Sequence, residues 1–282
     1  MKFGIVAEGG ASRGLFTSGV LDALLKEDIM CDYYCGVSAG IAFGVSYLSR
    51  QIGRNLEVAL KYMNTSEYMG LRNLFKGKNY YNIPFVFDKI PNKLCPFDYK
   101  KFKEYEGEVE AVVTNIHTGR AEYLHPSRTD RVCREVVASC AMPVFFEPVR
   151  IGRRYYLDGG VSDPIPYRHA LEKKKCDKTL VILTRPRGYI KTNELGEFVS
   201  KRLYSKYPYI VEDIDDRACK YNYDLKTIKQ LEEEGRIFVI APSSIYGARR
   251  TEKDPTILKQ LYKEGLGQMQ SKMADFKEYL KD

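Results

Sequence analysis

The chain is 282 residues long, 44% hydrophobic and 29% charged, and its 45 basic and 37 acidic residues leave a formal charge of +8. These are the proportions of a folded globular protein, and no apolar run approaches the roughly 18–20 residues that cross a bilayer. The positive balance suits phosphates on lipid head groups or nucleic acid, but no zinc-finger or RNA-recognition signature favours nucleic acid.

The opening "MKFGIVAEGG" is too short for a secretory h-region of about 7–15 residues. It reads instead as a first β-strand, "FGIVAE" (3–8), followed by a small-residue turn, "GGASRG" (9–14). "LFTSGVLDALLKED" (15–28) sets Leu15, Val20, Leu21, Leu24 and Leu25 near one helical stripe. "DYYCGV" (32–37) is a second strand leading into Ser38, and "AGIAFGVSYLSR" (39–50) continues as an apolar helix. Two strand–turn–helix units in succession predict an α/β sandwich with a largely parallel sheet.

Residues 64–105 break the rhythm: they are dense in Tyr, Phe, Lys, Asn and Pro and hold no sustained period. Such a segment reads as a loop-like insertion, either an irregular flap completing the core or a lid or binding surface. Alternation returns with strands at 108–119, 153–160 and 178–185 and helices at 130–142 and 166–175. Beyond residue 192 the pattern is mostly helical, with one strand at "RIFVIAP" (236–242). Without a linker or internal repeat, residues 1–282 read as one domain, its core over about 3–190. Seven cysteines without a C-x-x-C pair suit a reduced, cytoplasmic setting with no metal site. The basic runs "EKKKCDK" (172–178), "TRPRGYIK" (184–191) and "ARRTEK" (248–253) read, each alone, as solvated surface.

Gly36, Ser38 and Gly40 spell G-x-S-x-G between a strand and a helix. Glycines there remove Cβ atoms where strand and helix close up, and the helix N-terminus favours an anion beside Ser38. "EGGASRG" (8–14) leaves backbone N–H groups unpaired; it lacks the G-K-[ST] of a phosphate loop and reads as an oxyanion hole once Ser38 follows. The proton acceptor is not evident among the histidines: His117 and His125 flank a turn, and a helical surface position suffices for His169. Asp158, ending the strand "RRYYLDGG", is the better candidate, because ligands gather beyond the carboxyl ends of parallel strands.

The order and spacing of the glycine-rich loop, "GVSAG" and "LDGGVSDPIP", together with "ASCAMPVFFEPV" (138–149), resemble the patatin-like phospholipase family, specifically its compact bacterial members. The resemblance covers roughly residues 3–190 and implies a three-layer α/β/α fold and a Ser–Asp dyad, Ser38 as nucleophile and Asp158 as base. It further implies oxyanion donors at Gly9, Gly10 and Ala11, with Arg13 fixing the loop and Gly14, Gly36, Gly40, Gly159 and Gly160 completing the motifs. The chemistry implied is hydrolysis of phospholipid or lysophospholipid acyl esters without metal or cofactor. The partners expected are that lipid substrate and an anionic membrane surface, with no nucleic acid. Where the family's loop has a third glycine, this chain has Ala11, which carries a strain of about 1–2 kcal/mol if the position needs positive φ. The rival readings are a non-catalytic lipid- or phosphate-binding module on the same fold and an acyltransferase.

Overall fold

The computed structural model describes residues 1–77, 79–192 and 195–281. The chain opens in strand–helix alternation: β1 (Phe3–Ala7), α1 (Leu15–Lys26), β2 (Tyr33–Val37) and α2 (Ala39–Leu48). Three short helices follow, α3 (Arg54–Val58), α4 (Leu71–Gly77) and α5 (Tyr99–Glu104), with π-helical stretches at Ala59–Met63 and Phe85–Leu94. Next come β3 (Glu108–Asn115), β4 (Ala121–Leu124), α6 (Arg134–Ser139), β5 (Val149–Ile151) and β6 (Arg154–Asp158). The chain ends with β7 (Lys178–Ile182), α7 (Leu195–Leu203), α8 (Pro208–Glu233), β8 (Phe238–Ile240), α9 (Pro255–Ser271) and α10 (Met273–Tyr279).

The eight strands form one sheet with the hydrogen-bonded succession β5-β6-β3-β2-β1-β7-β8, and β4 also pairs with β3. The run β3-β2-β1-β7-β8 is parallel, whereas β4, β5 and β6 are antiparallel. Burial on both faces explains why the strands read as nearly continuous apolar runs. Phe3, Ile5, Leu180 and Ile182 pack with Phe16, Val20 and Leu24 of α1 and Met269 of α9. Val6, Val37, Val181 and Val239 pack on the other face with Tyr221, Ile228 and Leu231 of α8. Helices thus cover both faces, giving the three-layer α/β/α arrangement. Each buried Val, Leu, Ile or Phe contributes about 1.5–3 kcal/mol.

The segment 64–105 departs from the loop expectation, since α4, the Phe85–Leu94 stretch and α5 make much of it helical. Pro84 opens the Phe85–Leu94 stretch and Pro91 lies inside it, so the wider π-type winding hides the usual helical period from the sequence. Tyr68, Phe85, Ile90 and Phe102 are buried, so these side chains turn inward and not toward a membrane. The predicted helix at 130–142 is shorter than expected, starting after Cys133 at φ 47°.

Candidate functional site

Ser38 stands where β2 turns into α2, with φ 53° and ψ −120°. A non-glycine residue there stores about 1–3 kcal/mol, so its surroundings must hold it. The Ser38 N–H donates to Ser139 Oγ at 2.9 Å, while its carbonyl accepts from the N–H groups of Ile41 and Ala42 at 3.1 and 3.0 Å. The flanking glycines are demanded by close approach: a Cβ on Gly36 would lie 2.5 Å from Ile41 N, and one on Gly40 2.3 Å from the Ala7 carbonyl. Ser139 lies in "ASCAMPVFFEPV", but its part in holding the turn is visible only in three dimensions.

Asp158 reaches Ser38 by a route the sequence did not suggest. β6 is antiparallel, so the argument from parallel carboxyl ends does not place it. Val112 pairs with Val37 and Tyr123, and Val113 pairs with Asp158 and Glu122. With β4 on one edge of β3, β2 and β6 share the other and meet end to end. Asp158 is 5% exposed, its Oδ1 accepts the Gly160 N–H at 2.7 Å, and it lines the same cleft as Ser38. Burial raises its pKa above the ordinary carboxylate value, against the lowering effect of the nearby Ser38 hydroxyl, the Gly160 N–H and the Arg217 and Arg250 charges.

The glycine loop closes over the same point: a Cβ on Gly9 would lie 3.1 Å from Ser38 Cβ. No described residue accepts a hydrogen bond from the N–H of Gly9, Gly10 or Ala11. Ala11 adopts φ 48°, so the position does need positive φ and the alanine carries the strain instead of relaxing the turn. Glu8, assigned no role above, anchors the loop base. It accepts from Thr184 N at 2.6 Å and Tyr221 Oη at 2.7 Å, and Thr184 Oγ1 donates to Gly9 O at 3.0 Å. Arg13, 6% exposed, donates its N–H to Gly10 O at 3.1 Å.

Gly9, Gly10, Ala11, Arg13, Ser38, Asp158 and Gly160 therefore line one cleft. Gly14, Gly36, Gly40 and Gly159 lie behind it at close contacts: a Cβ on Gly14 would sit 2.8 Å from Ala39 Cβ, and one on Gly159 2.3 Å from Val112 O. On its other side Ser38 opens into a mainly apolar pocket of about 1140 Å³, open mouth included, lined by Phe43, Met63, Val86, Phe87, Ile90 and Phe146. Phe85, paired with Phe87 in the sequence, belongs to the core instead.

The histidines lie elsewhere. His117 and His125 are exposed. The His169 side chain is only 14% exposed, which corrects the surface expectation. It stacks on Tyr123 with ring centroids 3.5 Å apart, and its Nε2 lies 2.9 Å from Glu110 Oε2. Burial alone would raise the Glu110 pKa, but hydrogen bonds from His169, Lys174 and Tyr33 hold it down to about 2. That carboxylate therefore stabilises the fold above pH 4.5, and the contribution disappears as pH falls toward 2. Glu108, Glu110 and His125 offer metal-type donors, yet Lys174 Nζ already contacts both carboxylates. His169→Ala should cost about 1–3 kcal/mol of stability, read as a lower Tm. An unchanged Tm would show that the Tyr123 stack and the Glu110 contact do not support the fold.

Residues 5–171 match the family model described as patatin-like phospholipase, over half of the chain. The chain belongs to the patatin-like phospholipase family. Residues 207–281 match a second model, "Domain of unknown function (DUF6363)". The chain is 26% identical over 196 residues to the "Uncharacterized protein YjjU" of Escherichia coli (strain K12), covering 64% of this chain and 51% of that protein. It is 25% identical over 203 residues to the "Probable lipid hydrolase 463L" of Invertebrate iridescent virus 6, covering 64% and 69% of the two chains. The match thus spans about half the length of the Escherichia coli relative. Among solved structures it is similar to VipD from Legionella pneumophila, with TM-score 0.47 and 13% identity over 96% of this chain and 66% of that one.

Proposed function

We propose that this patatin-like protein is a serine acyl-ester hydrolase acting on phospholipid or lysophospholipid esters through Ser38 and Asp158. The observation that carries the reading is that Ser38 and Asp158 line one cleft with Gly9, Gly10 and Ala11, whose N–H groups have no acceptor among the described residues. Asp158 takes the hydroxyl proton as Ser38 Oγ bonds to the ester carbonyl carbon, and the N–H groups hold the developing oxyanion. The proton passes to the leaving alkoxide as its C–O bond breaks. Asp158 then takes a proton from water, which attacks the acyl-enzyme and frees the fatty acid, and the proton returns to Ser38 Oγ.

A fluorophosphonate probe should label the wild type and leave Ser38→Ala unlabelled. A folded, unlabelled wild type would remove the enzymatic reading and favour a non-catalytic lipid-binding module. Adding glycerol or lysolipid and analysing products separates hydrolysis from acyl transfer. No described helix is long and apolar enough to cross a membrane. The seven free cysteines and the net charge of +8 support reading the protein as cytoplasmic and peripheral to an anionic lipid surface.

The apolar pocket beside Ser38 is read as the acyl site, with Phe87 part of its wall. Phe87→Ser should lower the palmitoyl-to-butyryl ratio of kcat/KM on p-nitrophenyl esters by about tenfold. Equal loss on both esters would place the acyl chain elsewhere. Residues 207–281 are read as part of the same folded unit, since β8 extends the sheet and the loop before α9 bonds the glycine loop: Ser12 N–H donates to Arg250 O at 3.2 Å and Ser12 Oγ to Glu252 O at 3.0 Å.

A further inference from the structure

The cleft beside Asp158 holds more positive charge than ester hydrolysis uses. Arg13, Arg185, Lys191, Arg217 and Arg250 line it together. They come from separate parts of the chain: the glycine loop, the segment after β7, α8, and the connection between β8 and α9. Two of the basic runs that read as solvated surface thus turn cations inward, Arg185 and Lys191 from 184–191 and Arg250 from 248–253. Arg187, from the first of these runs, instead pairs with Glu232 at 2.5 Å.

Arg13 is 6% exposed, and no described residue accepts a hydrogen bond from its Nε. Burial, followed by repulsion from Arg185, draws its pKa down to about 10, and Arg250 adds to the repulsion against the opposing pull of Glu8. Glu8 accepts from Thr184 and Tyr221, and Asp158 accepts from the Gly160 N–H. Arg185 lies over the Tyr189 ring at 4.4 Å, and Arg217 Nε is anchored on Gly160 O at 2.9 Å. Arg13 and Arg185 repel each other in this partly desolvated cleft, and an anion between them would relieve that repulsion. Guanidinium groups match phosphate oxygens in fork geometry, whereas a quaternary ammonium there would meet only like charge. Ser38 lines both this cleft and the apolar pocket, so a lipid with its ester at Ser38 would lay its chain one way and its phosphate the other.

We propose that the cleft lined by Arg13, Arg185, Lys191, Arg217 and Arg250 binds the phosphate of an anionic lipid and selects a phosphomonoester head group over a zwitterionic one. This rests on the serine hydrolase reading above.

The test compares kcat/KM on phosphatidic acid and phosphatidylcholine of identical acyl chains in mixed micelles, with p-nitrophenyl butyrate as head-group-free reference. Wild type should favour phosphatidic acid by about tenfold, Arg185→Gln should bring the ratio near one, and Arg185→Lys should keep most of it. A wild-type ratio near one, or a ratio unchanged in folded Arg185→Gln, overturns the proposal. Wild type inactive on all three esters counts against the hydrolase reading, and binding then decides the cleft. Glycerol 3-phosphate should bind Ser38→Ala in calorimetry and bind Ser38→Ala/Arg185→Gln about tenfold more weakly; absence of binding to Ser38→Ala overturns the anion site. Inorganic phosphate bound as tightly as glycerol 3-phosphate, with equal rates on the two phospholipids, assigns the cleft to a free anion and overturns head-group selection.

Discussion

Asp158→Asn should lower kcat by about 10³-fold, the usual scale for losing a positioned general base, with the folded structure intact. Asparagine keeps the shape and the oxygen that accepts the Gly160 N–H, but it cannot accept the Ser38 proton. The stability sign runs the other way from the activity. Burial raises the Asp158 pKa, so the ionised carboxylate costs the folded state as pH rises through that raised value, and stability from the protonated form is fully present only below the ordinary 3.8. At neutral pH the amide removes that cost, and Asp158→Asn should melt no lower than wild type. The same shift sets the pH profile: kcat/KM should fall as pH drops through a pKa above 3.8, because protonated Asp158 cannot act as base. Joint loss of activity and Tm in Asp158→Asn would make the residue structural, and an acid limb unchanged in the variant's residual activity would put the base elsewhere.

Gly265→Val should destabilise the protein by about 3 kcal/mol or more. α1 and α9 cross at glycines: a Cβ on Gly265 would lie 1.9 Å from the Phe16 carbonyl oxygen, and one on Gly19 2.1 Å from the Tyr262 carbonyl oxygen. Backbone cannot swing aside as a side chain does, so the helices must separate and strip cover from Phe16, Val20 and Met269. The effect should reach the proposed active site, because the chain leading into α9 bonds Ser12 in the glycine loop. One cooperative thermal transition, at least about 6 °C lower and accompanied by weaker fluorophosphonate labelling, is the expected result. Two separate transitions with labelling unchanged would make residues 207–281 an independent appendage.

Local pattern made the first half of the molecule readable. β1, α1, β2 and α2 are consecutive units whose apolar periods lie within a few residues of one another. The glycines of G-x-S-x-G mark close approach, which only a missing Cβ permits. Ser38, Asp158 and the glycine loop, expected to act together, line one cleft. Long-range pairing decided the rest. That β6 runs antiparallel and meets β2 on one edge of β3 depends on which strand accepts which N–H, and no segment encodes that alone. Within 64–105 the Phe85–Leu94 helix lacks a clear period because its winding is π-type and proline-interrupted, while α4 and α5 are too short to show one. The cations of 184–191 and 248–253, scattered beside others that face solvent, acquire common purpose only where the fold turns them into one cleft. Charge spacing along the chain cannot state distance across it, and that distance, set by packing of β7, α8 and the approach to α9, places five cations beside Ser38.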